Sequence, residues 1–259
     1  MLTGYQRLLQ APIARRLRYG VRPRMLREGI DAALRPRHVP LDANVAAALE
    51  VALVAIARMG ELVASRGAFN RAVQPSRADV RFECDARGLP TACCIWIVNI
   101  KARGGERFRR VPVRLPVSGK HLSPGWALWY LTRVIDVVPT NLAAVTPLFR
   151  DPATGRVLTV AFMRQKVRDC MTAIGRDASL YGAHSPRIGG ATAMAWLNAP
   201  SAAIQASGRW RSDAYLCYIR ECRAQAEYFV QQIASADVDD FQSDYVEIDM
   251  HGFDADDEE

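Results

Sequence analysis

The sequence predicts a mainly α-helical α+β domain with one small antiparallel β-sheet. Three observations predict it. Apolar residues recur at helical spacing near residues 42–65, 124–137, 160–174 and 184–197. One block alone, residues 79–113, alternates and is rich in β-branched residues. Within it, Arg103, Gly104 and Gly105 supply a turn that makes the last two strands a hairpin.

Length and composition suit one large or two small domains, because 259 residues at 50% hydrophobic content can bury a sizeable core. The longest apolar stretch, Val45 to Arg58, is interrupted by Glu50, so no membrane span is expected. The net charge of +7 is unevenly spread. Eleven of the 27 acids lie between Asp237 and Glu259, which holds no Lys or Arg. Residues 1–236 therefore carry 34 bases against 16 acids, a net +18. A body that basic points to a polyanionic partner, most often nucleic acid. The other reading is a generally Arg-rich composition, since most bases are Arg.

Residues 1–27 contain no acid, and Arg7, Arg15, Arg16, Arg18, Arg22 and Arg24 sit among Leu, Ile and Tyr. This is a basic arm, a transit peptide or the remnant of a longer N-terminal domain. Pro36 to Pro40 reads as a linker, so residues 1–40 are set apart from the domain. Asp42 can cap a helix running from Val45 to Ser65. Arg58 and Glu61 close that helix, as a structural pair on one face or as an acid orienting an arginine for a ligand.

Strands follow at Val80 to Cys84, Ala92 to Ile100 and Arg107 to Val113. Lys101 meets the turn, and Arg103, Arg107, Arg109 and Arg110 make the hairpin basic. Such a hairpin lies along a phosphate backbone or protects a sheet edge. Pro124 to Val137 is expected as a helix with Trp126, Trp129 and Tyr130 in the core. A loop at 147–155 leads to a helix from Val160 to Ile174. His184 opens the next helix, through Leu197. Pro200 to Ser207 is a short helix, and Ser212 to Ile233 is helical with a break near Arg220. Residues 236–259 are too acidic to bury themselves and are expected to be disordered. The six cysteines form no Cys-x-x-Cys pair and read as reduced, mostly buried thiols of an intracellular protein.

His184 and Arg187, three apart at a helix start, can address one phosphate. Tyr215 and Tyr218 lie downstream in an Arg-rich setting, and a tyrosine hydroxyl can be a nucleophile toward phosphorus. Five segments, in order, carry a family resemblance: Arg58-Met-Gly-Glu-Leu62, Lys101 before Arg107 to Pro112, His184-Ser-Pro-Arg187, Gly208-Arg-Trp210, and Tyr218-Ile-Arg220. Together, over residues 41–235, the chain resembles the catalytic domain of the tyrosine recombinases, the phage integrase family. The wording is most similar to the branch carried by DIRS-type retrotransposons and Crypton elements. In better-known members nine residues separate the His/Trp position from the tyrosine. Here Trp210 lies eight before Tyr218 and Arg209 nine before.

The resemblance implies a tyrosine recombinase catalytic-domain fold and a site of Arg58, Lys101, His184, Arg187, Trp210 and Tyr218. It implies cleavage and rejoining of double-stranded DNA through a 3′-phosphotyrosine, with no metal or nucleotide. Arg103, Arg107, Arg109, Arg110 and Arg209 are the expected DNA contacts. Arg58 and Arg187 can grip the non-bridging oxygens with forked, permanently charged donors. Lys101 can protonate the leaving 5′-oxygen, and His184 can take the phenol proton or hold the phosphate. The family acts as a homo-oligomer on DNA, which would dock the helix near Glu221 to Ile233 on a neighbour. It also has an N-terminal clamp domain, for which forty residues are too few. The expected compartment is nuclear in a eukaryote and otherwise cytoplasmic. Two alternatives stay open: a type IB topoisomerase-like relaxase, and a DNA-binding protein without catalysis.

Overall fold

The computed structural model describes residues 19–34, 39–98 and 109–219. Helix α2 (Pro40–Val54) is the axis of the domain. Every residue from Ala43 to Leu53 is buried, as expected for a helix apolar on all sides. Around it pack α1 (Pro23–Ala33), α4 (Pro124–Tyr130) and α6 (Ser185–Trp196). Helix α5 (Val160–Ala173) packs mainly on α1 and is capped by Thr159, whose Oγ1 accepts from Phe162 N at 3.2 Å. Helix α7 (Ser201–Gly208) and a 3₁₀ turn (Asp213–Tyr218) pack on α6. The sheet is antiparallel in the order β1 (Val80–Cys84), β2 (Pro90–Val98), β3 (Arg110–Leu115). In β2, Cys93, Ile95 and Ile97 alternate into the core, the period of two expected of a half-buried strand.

The expected fold class therefore holds, with local departures. The expected helix from Val45 to Ser65 is two helices. α2 stops at Val54, the chain turns through Ile56 at φ 48°, and α3 (Met59–Leu62) restarts after Arg58. Asp42 is not the cap: Pro40 starts α2 with its fixed φ, and Asp42 sits in the first turn.

The aromatics of α4 also differ from expectation. Leu128 and Leu131 fill the core, while Trp126 is exposed and stacks on half-buried Trp129 at 5.2 Å. A continuing π-helical turn (Leu131–Ile135) follows α4.

Residues 19–34, expected within an arm and linker, pack on the domain. Leu26, Ile30 and Leu34 enter the core, and Gly29 lets α1 touch Cys170 of α5. Basic residues on the outer face, Arg24 and Arg27, pair with Glu28 and Asp31, which masks the apolar face in a charge count. Cys93 and Cys170 are buried as expected, Cys94 and Cys217 are half-buried, and Cys84 is exposed. The expected hairpin turn, the expected helical stretch beyond Ile219, Cys222 and the acidic residues 236–259 lie outside the described residues.

Candidate active site

Three breaks in helical structure build the site. The first is the turn between α2 and α3, where Ala55 and Ile56 leave the helix and free their carbonyls. The second is the start of α6. Gly189 and Gly190 let this helix seat directly on backbone: a Cβ would lie 1.8 Å from the Val21 carbonyl oxygen and 2.2 Å from that of Leu53. That close approach carries Arg187, one turn earlier, under the α2–α3 turn. The third is the end of α7, where Arg209 adopts the left-handed conformation at φ 57° and ψ 38°. Gly208 beside it accommodates the Trp210 ring, which a Cβ would strike.

Arg187 is fully buried. Its Nη1 donates to the Ile56 carbonyl, and its Nη2 to the Gly208 carbonyl at 2.7 Å. Its guanidinium lies 4.1 Å over the Trp210 ring and 5.3 Å from the Tyr218 ring, both cation–π distances. Burial, then the neighbouring charge of Arg58, pushes Arg187 down to about 10; Glu61 opposes this. It stays protonated at neutral pH.

Arg58 is tied to Glu61, with Nη1 donating to Oε1 at 2.7 Å. Its backbone N–H donates to Oε2 of the same carboxylate at 3.0 Å. The Glu61 side chain is fully buried, and Arg58 keeps 15% of its side chain exposed, so the arginine faces outward from a fixed anchor. Trp210 spaces the rings, 5.1 Å from Tyr218 and 6.3 Å from Tyr215. Tyr215 is buried, while Tyr218 is half-buried, its carbonyl accepting from Thr192 Oγ1 at 3.1 Å. His184 stands at the N-terminal boundary of α6, exposed and one turn before Arg187.

The structure thus brings Arg58, Arg187, Trp210 and Tyr218 into one cluster, with His184 at the head of the helix that carries Arg187. Lys101, Arg103 and Arg107 lie outside the described residues. Arg109 is exposed. Two of the expected DNA contacts also hold carboxylates of the domain. Arg110 bonds the Arg71 carbonyl and pairs with Asp79 at 2.6 Å. Arg209 pairs with Glu61 at 2.8 Å and keeps only 6% of its side chain exposed. The family resemblance implied DNA contacts for both; the fold also gives each a buried carboxylate partner. The double role of Glu61, which holds Arg58 and Arg209 together, was not visible in the sequence, because its second partner arrives from 148 residues away.

Compared as a sequence, the chain matches no protein-family model and no curated protein. Compared as a structure, it matches the XerH site-specific recombinase in a post-cleavage complex with a palindromic difH substrate. The TM-score is 0.57 at 17% identity, over 85% of this chain and 54% of XerH. A pre-cleavage XerH complex with difH gives 0.54 at 17% identity, over 83% of this chain and 54% of XerH.

The chain has the tyrosine recombinase catalytic-domain fold.

It spans about half the length of the XerH chains it matches. The fold likeness agrees with the family resemblance read from the five segments; it does not single out a branch of that family.

Proposed function

We propose that this protein is a site-specific DNA recombinase that cleaves and rejoins double-stranded DNA through a 3′-phosphotyrosyl intermediate. The observation that carries the reading is Arg187 lying against the Trp210 and Tyr218 rings, with Arg58 close enough for its charge to act on Arg187, in a recombinase fold. Arg58 and Arg187 are fixed donors for the two non-bridging oxygens, where charge builds as phosphorus becomes five-coordinate. The Tyr218 oxygen forms a bond to phosphorus as the bond to the 5′-oxygen breaks. His184 takes the phenol proton, and Lys101 gives one to the departing 5′-oxygen. Reversal with a new 5′-hydroxyl rejoins the strand. The ester bond to tyrosine conserves the energy of the broken one, so the scheme needs no external energy source.

Integration of a mobile element of the DIRS or Crypton kind, and assembly as a homo-oligomer on DNA, belong to the same reading. They rest on the five sequence segments. Residues 1–236 carry a net +18, which supports a polyanionic ligand and predicts affinity that falls steeply with salt.

The test uses a pool of nicked duplexes with randomised sequence, so that the cleaved end diffuses away and the adduct is trapped. A covalent protein–DNA band on a denaturing gel is expected from the parent and from Tyr215→Phe, and none from Tyr218→Phe. Salt-dependent binding with no adduct from any duplex would instead identify a DNA-binding protein without catalysis. Relaxation of supercoiled plasmid by the monomer, with no strand exchange, would identify the topoisomerase-like alternative.

A further inference from the structure

We propose that Arg209 is a positioning residue for both phosphate-gripping arginines and makes no contact with DNA; the inference rests on the cleavage reading above. Its guanidinium reaches acceptors on both the α2–α3 turn and α3. Nη1 donates to the Ser207 carbonyl at 3.0 Å and the Ala55 carbonyl at 3.1 Å. Nη2 donates to the Ile56 carbonyl at 3.3 Å and to Glu61 Oε2 at 2.8 Å. The Ile56 carbonyl is the same one that Arg187 Nη1 uses. The Glu61 carboxylate is the same one that holds Arg58 through its other oxygen. One side chain therefore sets the partner of Arg187 and the partner of Arg58.

The backbone supports this assignment. Arg209 and Ile56 are two of the three described non-glycine residues with positive φ, and Ile is β-branched, which makes its conformation a true outlier. The two meet through the Nη2–Ile56 hydrogen bond. Strained residues that face one another across a site persist only where surrounding contacts hold them, and such strain gathers at functional sites. A glycine at 209 would relax the backbone there, but it would also delete the donor set that joins Ala55, Ile56 and Glu61. A lysine would offer one compact ammonium in place of a planar fork.

The experiment uses the full chain and the randomised nicked-duplex pool. Adduct formation is timed under single-turnover conditions, and binding to a random-sequence duplex is measured in a Tyr218→Phe background. R209G is expected to bind the duplex as the parent does and to form the adduct about 100-fold more slowly, the scale of a misplaced reacting group. R209K is expected to be slowed as well, by about 10-fold or more. In Arg58→Ala, adding R209G is expected to slow the reaction less than it does alone, because part of its effect runs through Arg58.

An adduct rate equal to the parent's in R209G or R209K would overturn the inference. So would a loss confined to DNA affinity, or full multiplicativity with Arg58→Ala. If R209G fails to fold, the R209K rate and affinity decide by the same criteria. A parent that forms no adduct sinks the cleavage reading itself; a reactive parent matched by R209G sinks only the role of Arg209.

Discussion

Glu61 and Arg209, 148 residues apart in the chain, form a buried ion pair at 2.8 Å. Glu61 gives its other oxygen to the Arg58 guanidinium, so one carboxylate pairs with two guanidiniums beside a third, Arg187, and offsets part of their charge. Three arginines close together and largely dry repel one another; the single acid makes the cluster tolerable. Glu61→Gln should therefore destabilise the fold by roughly 3–5 kcal/mol, the range for breaking a buried pair from one side. Urea unfolding of parent and variant checks it, and a change below about 1 kcal/mol would mean the cluster is solvated.

Gly189 and Gly190 are where α6 meets the backbones of Val21 and Leu53. Gly189→Ala and Gly190→Ala should each cost about 1–3 kcal/mol or more, because overpacking moves backbone rather than a flexible side chain. Gly67 has open space around its missing Cβ and no positive φ. Gly67→Ala should be neutral or stabilising by about 0.4–1 kcal/mol. Denaturant midpoints for the three variants separate close approach from ordinary glycine flexibility.

Glu50 lies on the all-buried helix α2 and accepts the Ser123 backbone N–H at 2.9 Å. Burial raises its pKa from 4.5 to about 7, against the lowering effect of that hydrogen bond. The folded state therefore holds this proton more tightly than the unfolded chain. Stability should fall as pH rises from 4.5 to about 7 and then level off. Glu50→Gln should remove that slope and be more stable than the parent above pH 7, by on the order of 3 kcal/mol. Melting temperatures across this window decide it; an unchanged slope would clear Glu50 of the effect.

Asp136 has the opposite sign. Its burial raises the pKa, but the hydrogen bonds from Arg150 and the charge of Arg77 outweigh that and hold it below the usual carboxylate range. Asn44 adds a bond at 3.3 Å and also takes the Arg150 backbone N–H at 3.0 Å, joining α2 to the loop before α5. The contribution of Asp136 is present above the unfolded carboxylate pKa of about 3.9 and is lost as pH falls through its lower folded value. Asp136→Asn should lower stability at neutral pH and flatten the acid limb of the unfolding profile. An acid limb identical to the parent's would place the acid sensitivity elsewhere.

Much of the fold was readable because its signals are local. Helical spacing marked α5, α6 and α7 to within a residue or two, and strand alternation marked the sheet. The glycines after Arg187 were visible, though not their reason, which is a close approach between distant backbones. The expectations that failed concern what faces what. Trp126 looked like core, but Leu128 of α4 and Leu131 of the following π-helical turn point inward instead. The helix expected through Ser65 was read from continuous apolar residues, and nothing local announces an Ile at φ 48°. For Arg209 and Arg110, expected as DNA contacts, nothing local announced the ion pairs with Glu61 and Asp79 that the fold gives them.

By itself the sequence determined the helical α+β class, the order of the elements and the spacing that sets His184 one turn before Arg187. These follow from periodicity and chirality, which act over a few residues. Only the tertiary structure decided that Arg187, Trp210 and Tyr218 meet, and that Arg209 pairs with Glu61 beside Arg58. Such convergence depends on how helices pack against one another. A packing contact between residues 148 apart leaves no periodic trace in the chain that makes it.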